Sequence, residues 1–417
     1  MPIPPAASAL PAPARPSVIL LAALAAVGAF SIDTFLPSMA AIARALDASA
    51  VEAQQVLAVY MLGFALMSLW HGSISDAVGR RPVILGSLVA YALASLVCTL
   101  APSIEVLLAA RFMQGLFGGA GSVVARAIVR DCYEGAAAQR AMSSLMMIFS
   151  IAPAVAPVIG GLLQQAFGWR SVFAFMLLLA LVLITWAWRA LPETLPQAQR
   201  APLAIGALAR GYAQVFSRRE FQLLAGASAL TFATFFLYVA ASPAFILRHL
   251  GMTETDFVWF FAPVIGGMTA GAALSGRLAG RLSLRGTVQA GYAVMLLGML
   301  ANLSVTRFIT PGMPAGAALT ALSVAPLVVG AFGLALISPS IQLMLINLFP
   351  ERRGMVASCQ GFTQLMVSAT AAGVVAPAVT QSSFTLALSA AAFLASGLAL
   401  WLVGAAIARR RERQAGG

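Results

Sequence analysis

Gly72-Ser73-Ile74-Ser75-Asp76-Ala77-Val78-Gly79-Arg80-Arg81-Pro82 is a charged, glycine-punctuated island between two long apolar runs. Two adjacent arginines and a carboxylate make it too polar for a lipid interior. It reads as a tight turn that ties two membrane helices together on one fixed side. Gly79 can supply a positive φ and Gly72 a close helix approach, and Pro82 suits the first turn of the next helix.

Composition outside this island supports the same reading. The chain is 61% hydrophobic and 9% charged, with a mean hydropathy of +0.93. Soluble domains run near 45–50% apolar and 25% charged, so this is an integral membrane protein. A spanning helix takes roughly 20 residues plus a connector, and 417 residues accommodate about a dozen. The formal net charge of +12, all of whose basic residues are arginine, is a topology signal rather than a nucleic-acid footprint. Most arginines flank the even-numbered connections or the termini, and only Arg44, Arg170, Arg248 and Arg307 fall on the other side. The positive-inside rule then puts both termini in the cytoplasm. Cys98, Cys132 and Cys359 lack disulfide or metal-ligand spacing.

The apolar runs place a first span at Val18 to Met39, a second at Gln54 to Ser75, and a third ending at Leu100. A fourth covers Glu105 to Val129, a fifth Ala141 to Phe167, and a sixth ends at Leu191. Six more follow at 220–247, 256–279, 286–305, 315–348, 354–378 and 382–407. The expected architecture is all-α, with 12 transmembrane helices in two pseudo-symmetric six-helix halves. Its divisions are a disordered cytoplasmic tail (1–16), the first half (17–191), a cytoplasmic linker (192–219), the second half (220–408) and a basic cytoplasmic tail (409–417). Gly276-Arg277-Leu278-Ala279-Gly280-Arg281-Leu282-Ser283-Leu284-Arg285 occupies the place in the second half that Gly72 to Arg81 occupies in the first. It keeps the glycine, the branched aliphatic third position and the final arginine, which supports an internal repeat.

The opening stretch resembles the signature loop of the major facilitator superfamily at Gly72, Asp76, Gly79, Arg80 and Arg81, with Ile74 for leucine and Ala77 where the family usually has arginine. Leu107 to Gly115, with Arg111 followed by Gln114-Gly115, is similar to a family motif in the fourth span. Ala152-Pro153-Ala154-Val155-Ala156-Pro157-Val158-Ile159-Gly160-Gly161 resembles the antiporter motif of the fifth. Together with Asp33 to Pro37 and Phe349 to Gly354, these stretches resemble the bicyclomycin and chloramphenicol resistance group. The resemblance implies a drug:proton antiporter of the bacterial inner membrane, driven by the proton gradient without a cofactor, acting as a monomer on small drugs and protons.

Intramembrane charges are costly and mark function by default. At 1.5 Å per residue Asp33 lies about 22 Å from the start of its helix and Arg111 about 9 Å from the start of its own. In a core about 30 Å thick these depths are similar, and the two are expected to meet as the proton-coupling pair; the bland alternative has Arg111 snorkelling and Asp33 hydrated. Desolvation favours a neutral carboxyl and a nearby cation favours the ionised one, so proton and substrate would compete for one state of Asp33. Candidates for the substrate cavity are Tyr60, Met113, Gln114, Met146 and Met147 in the first half. In the second they are Phe232, Phe235, Phe236, Tyr238, Gln360 and Gln364. Aromatic and methionine side chains on buried helices also serve as plain packing, although Met suits adaptable binding surfaces. Pro153, Pro157, Gly160 and Gly161 are either ordinary helix breakers or, as the resemblance implies, a flexing element.

Asp131 is either a solvated helix-end charge or, as the resemblance implies, the acid that pairs with the missing loop arginine, a role for which Arg80 is the expected substitute. Asp76 can also face the helix that begins near Gly354, since an acid is stabilised at a helix N-terminus. A transporter of a native metabolite, or a proton symporter, shares the fold and remains the alternative. An intramembrane enzyme does not fit: His71 and His249 sit at opposite ends of the membrane, Asp33 has no second intramembrane carboxylate, and no nucleotide motif appears.

Overall fold

The computed structural model describes residues 16–308 and 316–415, without the side chains of 146, 148–150 and 410–415. Residues 1–15 of the expected N-terminal tail therefore lie outside the described residues. Eleven helices among those described are long and apolar enough to cross a membrane. The twelfth is the long helix Gly135–Phe167, whose stretch Ile151–Phe167 is apolar.

In chain order the spans of the first half are α1 (Val18–Ala45), α2 (Ala50–Ser68), α3 (Arg80–Leu100), α4 (Ile104–Cys132), α5 (Gly135–Phe167) and α6 (Trp169–Ala190). Those of the second are α7 (Arg219–Ala240), α8 (Phe257–Leu278), α9 (Leu284–Thr306), α10 (Ala317–Asn347), α11 (Pro350–Val379) and α12 (Ser383–Ala415). The final helix thus carries the basic segment that starts at Arg409, and the linker contains a helix of its own, Ile205–Ser217.

Local chemistry sets the helix ends. Ser49 and Glu52 form a reciprocal capping box at the start of α2, which satisfies N–H groups that have no partner inside the helix. Ser283 Oγ accepts from Gly286 N at 3.1 Å to open α9. α1 is interrupted: a regular helix stops at Asp33, a short 3-10 turn covers Leu36–Ser38, and a last helical piece covers Met39–Ala45. Pro37 has no N–H to return to the carbonyl of Asp33 four residues earlier, so the ladder fails at the intramembrane acid.

The two halves repeat one packing plan. α2 lies against α4 and α3 against α6, as α8 lies against α10 and α9 against α12. The halves meet where α2 packs on α11 and α5 on α8. With lipid outside, van der Waals contact rather than a hydrophobic gradient holds helices together, so small residues sit at the closest crossings. A Cβ at Gly160 would lie 1.8 Å from Thr34 O in α1, and one at Gly161 would lie 2.2 Å from Glu254 O before α8. These two glycines are therefore contact points. Pro153 and Pro157 lie inside α5, which runs on through both of them as one helix.

The opening stretch departs from the expected tight turn. His71–Val78 is a short helix, and the direction changes at Gly79 alone, with φ +115°. Within it Ser75 Oγ donates back to Gly72 O at 2.9 Å. Nor does Gly72 mark a close approach, because the nearest atom to a Cβ there, Val123 Cγ1, would be 3.9 Å away.

Candidate functional site

Arg111 is completely buried on α4 and Asp33 is 4% exposed on α1. Arg111 Nε donates to Val56 O on α2 at 3.2 Å, one terminal nitrogen donates to Gln114 Oε1 at 2.9 Å, and the other donates to Ser31 O at 3.0 Å. Its guanidinium carbon stands 4.5 Å from the ring centre of Phe35, 4.4 Å from that of Tyr60 and 5.8 Å from that of Phe173. Carbonyl dipoles and aromatic faces thus compensate a charge that hydrocarbon would reject.

The expected direct meeting of Asp33 with Arg111 is corrected by this geometry. Among the described residues no ion pair joins them, and the Asp33 carboxylate accepts no hydrogen bond. The guanidinium is already occupied by Ser31 O, Val56 O and Gln114. Arg111 nevertheless holds Asp33 in place from both sides, because Ser31 lies two residues before the acid and Phe35 two residues after it. Thr34 Oγ donates to Phe30 O at 2.6 Å and stiffens the same break in α1.

Residues expected to line a substrate cavity fall in different surroundings. Gln114 is taken up by the arginine site: besides accepting from Arg111, its Nε2 donates to Ser95 Oγ at 2.7 Å. Tyr60 is fully buried beneath the guanidinium. These two form parts of the arginine cradle, with Tyr60 OH also donating to Gly28 O at 3.3 Å. In the second half Phe235 and Tyr238 line a cavity of about 20 Å³ enclosed by α7, α8, α9 and α10. That is room for roughly one water. Tyr238 OH accepts from Asn302 Nδ2 at 2.6 Å. Phe236 is buried and stacks on Phe232, which also meets Phe235 edge-on. Met113, Met147 and Gln364 are wholly or partly exposed, Met147 at 63%. Gln360 is buried with its Oε1 unpartnered, and the side chain of Met146 lies outside the described ones.

At the arginine-rich end a charge cluster forms around Gly79. Arg80 Nε donates to Asp131 Oδ2 at 2.9 Å, and its NH1 donates to Ser75 Oγ at 2.7 Å and to Asp76. Asp131 thus has Arg80 as its ion-pair partner. Asp76 pairs within its own loop, so it does not reach the start of α11 here. Arg81 donates to Trp188 O at 2.7 Å. Sequence reasoning missed the acid that completes the cluster. Glu193, just past α6, accepts from the backbone N–H of Arg80 at 3.0 Å and of Arg81 at 3.3 Å, satisfying the bare N-terminus of α3. Thr194 Oγ donates to Asp131 at 3.2 Å. A Cβ at Gly79 would fall 2.5 Å from Glu193 Oε2, so glycine is needed there for space as well as for φ.

The linker helix Ile205–Ser217 reaches both halves. Tyr212 OH donates to Leu69 O, with burial holding the phenol above its ordinary pKa, while Arg352 donates to Gln214.

Comparison with known proteins agrees with this architecture. The family description Major Facilitator Superfamily matches residues 19–372. The chain is 29% identical over 280 residues to a bicyclomycin resistance protein homolog of Haemophilus influenzae, covering 67% of this chain and 70% of that one. It is 29% identical over 320 residues to a chloramphenicol resistance protein of Pseudomonas aeruginosa, covering 74% and 75%. Among solved structures, a bacterial homolog of the human lysosomal transporter Spinster, in an inward-facing and unoccupied conformation, superposes with a TM-score of 0.68. That match has 17% identity and covers 93% of this chain and 96% of the other.

Proposed function

The chain belongs to the Major Facilitator Superfamily, and from that premise we propose that it is a proton-coupled exporter of small amphiphilic drugs of the bicyclomycin or chloramphenicol type. It works across the bacterial inner membrane, with both termini and the arginine-rich end in the cytoplasm. Resistance proteins among its relatives support the substrate class. The observation that carries the mechanism is the buried Asp33, its carboxylate free of hydrogen bonds and ion pairs among the described residues and its flanks gripped by Arg111.

An ionised carboxylate in that position is costly, and protonation removes the cost. A drug that offers Asp33 a hydrogen bond or a positive charge removes it in another way. Proton and drug therefore compete for the same acid, which couples inward proton movement to outward drug movement. A proton crossing a 100 mV potential yields about 2.3 kcal/mol. Arg111 acts by position, keeping the break in α1 at a fixed depth while Asp33 changes charge. Asp33→Asn is expected to abolish proton-driven drug uptake into everted vesicles while drug binding persists. Undiminished uptake overturns the mechanism.

A further inference from the structure

Two adjacent glutamines on α2 carry hydrogen bonds from the first half to the second, at the arginine-poor end. Gln54 Nε2 donates to Ala240 O at 2.8 Å, and Gln55 Nε2 donates to Gly373 O at 2.6 Å. Neighbouring residues on a helix point about 100° apart, so one side chain reaches the end of α7 and the other reaches α11. Both acceptors are carbonyls that their own helices leave in need. Ala240 is the last residue of the regular part of α7, where carbonyls run out of intrahelical donors. Gly373 lies in the wide turn Ala371–Val375, and Pro377 four residues on has no N–H to give it.

The approach that permits these bonds is itself built in. A Cβ at Gly373 would lie 2.7 Å from Ala58 Cβ and 3.0 Å from Gln55 Oε1. The second crossing between the halves, at Gly161 and Glu254, closes the same end. At the opposite end the linker helix bridges the halves, with Tyr212 donating to Leu69 O and Arg352 donating to Gln214.

We propose that Gln54 and Gln55 are the closing pair of the gate at the arginine-poor end: they hold the halves together while the other end is open, and they release two carbonyls to water when the transporter turns over. Neutral amides suit this task because a carbonyl exchanges an amide donor for water at little net cost, whereas an ion pair would bind the closed state more rigidly. The inference rests on the transporter reading above.

The test uses spin labels at Val51→Cys and Gln381→Cys, exposed positions in opposite halves at this end. Cys98, Cys132 and Cys359 are buried and leave the background low. In the purified full-length chain, Gln54→Met and Gln55→Met remove the donors at nearly constant volume. Each is expected to raise the ratio of long to short label distances roughly fivefold, and the pair about 20-fold. If the double variant fails to elute as a single species, the two single variants carry the measurement. Distance distributions that coincide with the unsubstituted parent overturn the closing pair, even in a parent that moves drug. A parent that moves no drug overturns the transporter reading, while the label distances still decide the gate.

Discussion

The two halves share a packing plan and differ in what they place at its centre. A Cβ at Gly63 on α2 would lie 2.4 Å from Phe112 O on α4, and one at Gly267 on α8 would lie 2.6 Å from Val328 O on α10. This matched crossing makes Leu327 the counterpart of Arg111. A second pairing agrees: Ser31 on α1 bonds Tyr91 on α3, and Thr231 on α7 bonds Tyr292 on α9 at 2.9 Å. Where the first half holds a guanidinium in a cradle of carbonyls and rings, the second holds Leu327 beside a cavity of about 20 Å³, with Asn302 Oδ1 unpartnered. At this matched crossing the buried charge therefore lies in the first half and an apolar side chain in the second.

The largest expected effect breaks the charged side of this comparison. Arg111→Ala empties a fully buried site, leaves Gln114 Oε1 with only the weak Cys98 S–H donor, and strips the guanidinium bonds from Ser31 O and Val56 O. It should cost on the order of 3–5 kcal/mol, read as a fall in the thermal midpoint of the purified protein. Asn302→Leu removes an amide whose oxygen is already unpaired but leaves the buried Tyr238 OH without its donor, so it should cost only about 1–2 kcal/mol. Equal losses in the two variants would erase the distinction between the halves.

Sequence reasoning reached the parts of this arrangement that are written locally. A run of about 20 apolar residues is a spanning helix almost by length alone, and a charge inside one stands out, so Asp33 and Arg111 were legible. What they do to each other was not, because Arg111 is satisfied by the backbone of Ser31 and Val56, and backbone carbonyls carry no sequence signature. Glu193 was hidden by its separation of 113 residues from Arg80. Gln54 and Gln55 read as ordinary polar residues at a helix start, since their role depends on carbonyls in the other half. The opening stretch was read as helical only as far as Ser75, because its glycines and charges suggested a turn beyond it, whereas a helix covers His71–Val78 and leaves Gly79 to make the bend.

The two copies of that stretch give the smaller predictions. In the first copy Arg80 is buried and bonded to Asp131, Ser75 and Asp76, whereas the side chain of Arg81 reaches a single carbonyl, Trp188 O. Both residues also donate backbone N–H groups to Glu193, and those bonds survive replacement of either side chain. Arg80→Ala should therefore lower drug export severalfold and cost about 2–3 kcal/mol by leaving Asp131 partly buried without its cation. Arg81→Ala should cost less than about 1 kcal/mol. In the second copy α8 ends at Leu278, Gly280 turns with φ +79°, and Arg281 is exposed. Arg281→Ala should fall within about 0.5 kcal/mol of the parent. If the order of Arg80, Arg81 and Arg281 were reversed in thermal unfolding and vesicle export, the cluster around Gly79 would be a marker of membrane orientation and nothing more. If it holds, Arg80 in the first copy does work that Arg281 in the second does not share.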